Sequence, residues 1–90
     1  NSANTTKLII IDSYFSDTHE YYGFKDIYYI IVEYEGALTD EFMQEYKSII
    51  REQYSDKFNE ASIIIVKFYQ NGFNFELNTD PDMKLVIMPN

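Results

Sequence analysis

Two strongly apolar segments, residues 26–35 (DIYYIIVEYE) and 61–70 (ASIIIVKFYQ), flank one stretch whose apolar residues recur at three- and four-residue steps. No other feature constrains the fold as tightly. Isoleucine, valine and tyrosine suit the pleated, packed surface of a strand. Between the two segments, Phe42, Met43, Tyr46, Ile49, Ile50, Tyr54 and Phe58 mark one face of an amphipathic helix. Thr39 is placed to cap it, and Asp40 and Glu41 occupy the first turn, where the helix dipole favours acid. The pattern runs from Thr39 to Phe58, about 20 residues or ~30 Å. A helix between two strands makes a crossover, so those strands are expected to run parallel. Glu41/Glu45, Lys47/Arg51 and Glu52/Asp56 are like-charged at i,i+4. The helix must therefore be held by its buried face.

The remaining segments supply further strands. Residues 7–15 (KLIIIDSYF) begin with a run of aliphatics, and residues 84–88 (KLVIM) read as a last strand. Asn71-Gly72 is the preferred two-residue type I′ turn. It predicts a hairpin between 61–70 and 73–77, with Gln70 opposite Phe73, Phe68 opposite Phe75 and Val66 opposite Leu77. Asn78-x-Asp80-x-Asp82 imitates the opening of a calcium loop, but Met83 stands where glycine is needed and no glutamate follows. It reads instead as a turn around Pro81. Residues 12–26 form a long connection in which Ser16 caps one or two helical turns ended by Gly23. The expected architecture is an α+β two-layer sandwich. One long amphipathic helix packs on a mixed, mainly antiparallel sheet of four or five strands in the order β-β-α-β-β-β. Residues 7–90 make one domain, behind a polar lead-in at residues 1–6.

Composition removes several functions. With no cysteine, the chain has no thiol nucleophile, disulfide or zinc–thiolate site. Seven basic residues are scattered among fifteen acids for a net charge of −8, which disfavours nucleic acid as a partner. The longest apolar run, residues 27–32, is far short of the about 20 residues a spanning helix needs. No cofactor is expected. The polar lead-in reads as the start of an exported protein, periplasmic or at the cell surface, with a cytosolic fragment as the alternative.

Four groups of residues could carry function. Asp12, Asp17, His19 and Glu20 offer oxygen and nitrogen ligands, and His19 is the only imidazole available as a base. Their spacing matches no metal or catalytic motif, and a string of polar residues is what a solvated loop looks like. No catalytic or metal role is assigned, and the chain is read as a non-enzyme. Tyr14, His19, Tyr21, Tyr22 and Phe24 form an aromatic loop suited to binding a protein partner. Gln53 and Lys57 fall inside the apolar arc of the helix. Either the helix end overhangs the sheet and Lys57 snorkels, or the pair lines a polar crevice. Finally, one helix covers one sheet face, leaving Ile27, Tyr29, Ile31, Ile63, Ile65 and Tyr69 on the other. A second copy packed by two-fold symmetry is the expected cover, and the 12–26 loop folding back is its rival. The functional expectation is a non-catalytic binding or interaction module whose acidic, tyrosine-rich surface meets a basic protein. Alternatives are an inhibitor or immunity-type protein acting on a basic enzyme surface, or a structural accessory domain of an exported assembly.

Overall fold

The two apolar segments become the centre of an open four-stranded sheet. The computed structural model describes residues 6–16, 18–70 and 83–88. In it β1 (Lys7–Ser16), β2 (Ile27–Glu35), β3 (Ile63–Gln70) and β4 (Met83–Ile87) lie side by side in that order. β2 and β3 are parallel, from Ile27 opposite Ile63 to Tyr34 opposite Gln70. The helix α1 (Asp40–Gln53) makes the crossover between them. β1 is antiparallel to β2, and β4 to β3. Among the described residues this is a small α+β fold with one α-helix and a mixed sheet. Where β2 and β3 begin, the Ser62 N–H donates to the Asp26 carbonyl at 2.6 Å and ties the two strands together.

Three expectations are corrected. The α-helix is short: it spans 14 residues and stops at Gln53. Tyr54 leaves helical geometry (φ −113°, ψ 28°), and a 3-10 turn covers Ser55–Asn59. Ser and Asp are weak helix formers, and a continued helix would set Glu52 and Asp56 as a like-charged i,i+4 pair, so the last expected turns gain little by staying α-helical. The helix starts as expected, with the Thr39 hydroxyl accepting the Phe42 N–H at 3.0 Å. Second, β1 extends to Ser16, so the connection to β2 is shorter than 12–26. A bulge at Ile11 shifts its register, from Ile10 opposite Val32 to Asp12 opposite Ile31. Third, the expected strand 73–77 and the Asn71-Gly72 turn lie outside the described residues. On that edge of β3, Val66 and Phe68 have Leu85 and Met83 of β4 as their partners, not Leu77 and Phe75.

The core is double. On the helix side, Tyr28, Ile30 and Val32 of β2 and Ile64, Val66 and Phe68 of β3 pack with Tyr46 and Ile50 of α1. Phe42 stacks on Tyr46 (6.0 Å, 9°), and Tyr46 and Tyr34 both reach Phe68. Ile49, on the expected apolar face, is exposed. On the opposite side, Ile27, Tyr29, Ile63 and Ile65 form a second buried cluster.

Burial makes this core sensitive to alkali. Burial, with a smaller contribution from the Tyr54 charge, pushes the Tyr46 phenol up to about 12. Tyr54 and Tyr29 are raised the same way, first by burial and then by Tyr28 and Tyr14. Unfolded tyrosine ionises near ~10, so these phenols stay neutral in the fold after they would ionise in the open chain. Their contribution is intact below about pH 10 and is lost as pH climbs from there towards about 12. The urea midpoint should therefore fall across that window. It should fall less steeply in Tyr46→Phe; an identical slope would assign the loss to other groups.

Candidate functional site

The site grows from the end of β1. Ser16, the last residue of the strand, is buried, and its hydroxyl accepts the His19 backbone N–H at 3.1 Å. The same oxygen lies 3.0 Å from His19 Nδ1, and its own proton points at that nitrogen when the ring carries hydrogen on Nε2. A serine hydroxyl closing three residues of chain is a local turn. It bends the loop beneath the sheet, in place of the helix expected to start at Ser16. Asp17 lies outside the described residues.

The loop then forms a hairpin of a single rung. Tyr21 and Phe24 exchange both backbone hydrogen bonds at 2.9 Å. Tyr22 and Gly23 between them both have positive φ, 48° and 90°. Positive φ at both central positions is the type I′ geometry. A Cβ on Gly23 would meet nothing within 4 Å, so glycine serves the backbone conformation there and not a space requirement. Tyr22 is strained. An L-residue with a bulky side chain spends about 1–2 kcal/mol to sit in this region, and the position ordinarily takes Asn, Asp or Gly.

Packing divides the loop's aromatic residues into anchors and display. Tyr21 and Phe24 pack on the second cluster, against Ile27, Tyr29, Ile63 and Ile65. Tyr22 sits at the tip, 88% exposed, with its ring edge-on to Tyr21 at 4.6 Å. Beside the hairpin, Tyr29 is a hub: Tyr14 lies 5.7 Å away, the His19 ring 6.1 Å away, and Lys67 Nζ is 4.6 Å from the ring centre. All five residues expected in the binding loop therefore meet on one side of the molecule. Thr18, His19, Glu20, Lys25 and Asp26 line a polar hollow of about 340 Å³ on its flank.

Comparison with protein-family models, curated proteins and solved structures returns no match. The reading of the site rests on its own geometry.

Two groups named from sequence change meaning. The proposed self-association face is closed within a single chain. Ile27, Tyr29, Ile63, Ile65 and Tyr69 are buried, and Ile31 is half-buried. Tyr21 and Phe24 supply part of the cover, the rival outcome to a second copy. Ordering so short a loop costs little closure entropy compared with recruiting a second molecule. Gln53 and Lys57 are not successive positions on one helix face. Gln53 is exposed at the last residue of α1, and the wheel that placed Lys57 beside it ends there. Lys57 Nζ instead lies over the Tyr28 ring at 5.3 Å and the Phe15 ring at 6.0 Å, a cation–π contact at the sheet border.

Among the described residues, no three His, Asp or Glu side chains gather as metal ligands. The Asp12 carboxylate accepts the neighbouring Ser13 N–H at 2.8 Å. Sequence reasoning missed the strain at Tyr22 and the Ser16–His19 turn. A Gly after two tyrosines was the only local signal for the hairpin, and it served equally well as a helix stop.

Proposed function

We propose that the protein is a non-catalytic interaction module that presents the 18–26 lobe to a protein with a basic surface. One observation carries the reading: Tyr22 is held almost wholly exposed, in a strained backbone conformation, on a hairpin whose two neighbours pack on the second cluster. Backbone strain of this kind collects at functional sites, ligand clamps and switch regions. An aromatic fixed in advance loses little freedom on binding, which is how tyrosine becomes an interface anchor. The net charge of −8 favours approach to a basic partner. That charge also supports the narrower version in which the partner is a basic enzyme surface and binding inhibits it. Ser16 and His19 fit the non-catalytic reading, since the serine is buried and its oxygen is engaged by the His19 N–H.

The test separates stability from recognition. Tyr22→Asn installs a residue suited to the turn and should raise stability by a few tenths to about 1 kcal/mol. It should also lose the partner that the immobilised wild-type chain retains from its native extract at low salt. Tyr21→Ala and Phe24→Ala should instead each lower stability by about 1–3 kcal/mol, because each uncovers the second cluster. Equal retention by wild type and Tyr22→Asn would remove the lobe as the binding site. Retention that ignores added salt would remove the charge argument.

A further inference from the structure

Among the described residues, the long edge of β1 stands out as unprotected. Its ten residues hydrogen-bond to β2 on one side, and no strand lies on the other among the described residues. Exposed apolar side chains project from both faces of the sheet: Ile9 is 64% exposed, and Ile10, Ile11, Tyr14 and Phe15 are all exposed, whereas Leu8 is half-buried and Ser16 buried. Edge strands are normally blunted by short length, proline or charge, because their open N–H and C=O groups template further pairing. β1 is long, has no proline, and carries only Lys7 and Asp12 as charges. In a chain of net charge −8, it is a neutral apolar line.

We infer that β1 is a self-association edge, pairing antiparallel with β1 of a second copy about a two-fold axis between Ile11 and Asp12. The bulge selects the occupant. In an antiparallel pair, directly opposite residues share a face. A regular strand paired with itself about an axis between two residues would put every residue opposite one from the wrong face. The extra residue at Ile11 reverses that parity. Lys7 then falls opposite Ser16 of the other copy, Leu8 opposite Phe15, Ile9 opposite Tyr14, and Ile10 opposite Ser13. Every pair is face-matched: Leu8 meets Phe15 and Ile9 meets Tyr14 as apolar pairs, while Ile10 lies against the small Ser13. The result is one continuous sheet of eight strands with both helices on the same side. An edge about 33 Å long with side chains on both faces buries roughly 500–600 Å² per copy, at the lower limit for a specific dimer. The two Asp12 carboxylates come close at the axis and weaken it. The dimer therefore forms in the micromolar range.

Sedimentation of the full chain across micromolar concentrations should show a monomer–dimer equilibrium. Ile9→Lys should leave a folded monomer, and Asp12→Asn should tighten the dimer several-fold. Because the chain has no cysteine, register can be read directly. Ile9→Cys mixed with Tyr14→Cys should form the mixed disulfide in preference to either like pair. If Ile9→Lys lowers stability, Ile11→Lys with an unchanged urea midpoint is the substitute. A wild-type chain that stays monomeric, a dimer that survives the lysine change, an unmoved Asp12→Asn, or a different cross-linking pattern would overturn the proposal.

Discussion

Phe68→Ala should bring this protein close to unfolding at room temperature. Phe68 lies in the middle of β3, is buried, and is reached by the rings of Tyr34 and Tyr46 from neighbouring elements. Removing such a ring forfeits its transfer free energy and leaves a cavity, about 3–5 kcal/mol together. At about 0.05–0.15 kcal/mol per residue, the lower bound for a chain of 90 residues falls inside that same range. The urea midpoint should fall by a third or more. Ile49→Ala is the control: its side chain is exposed on the outer side of α1, and the midpoint should barely move. Comparable losses in both would mean that α1 does not pack through Tyr46 and Ile50 as described.

A larger loss is expected from Ile63→Lys. Ile63 is fully buried between Ile27, Tyr29 and Ile65, on the sheet face away from the helix. An ammonium placed there without a partner costs several kcal/mol, enough to unfold so small a domain. Ile31→Lys, on the same face but half-buried at its border, should leave the protein folded. The contrast bears directly on what covers this face. A face closed by the chain's own loop unfolds when Ile63 is charged. A face closed only by a second copy would yield a folded monomer instead. Circular dichroism and sedimentation of the two variants together distinguish these results.

Much of the fold was legible in local pattern. The alternation of two strand-like segments around a helical one, with Thr39 at its start, specified the parallel crossover, because periods of 2 and 3.6 are properties of neighbouring residues. The unbroken apolar runs at 27–32 and 63–66 announced strands needing cover on both faces. Nothing local could say what the second cover would be. Burial rewards any apolar surface that arrives, and Tyr21 and Phe24 arrive through a turn whose first central residue breaks the usual preference. The helix ends at Gln53, just before Ser55 and Asp56, both weak helix formers, and that weak preference lies below the resolution of an apolar wheel. Strand neighbours were hardest to foresee. Backbone hydrogen bonds are blind to side-chain identity, so an attractive turn at Asn71-Gly72 could not reveal that β4 holds the edge of β3 at Val66 and Phe68. The bulge at Ile11 was hidden for the same reason: a run of three isoleucines reads alike in either register. Only the pairing with β2 shows which one stands out of line.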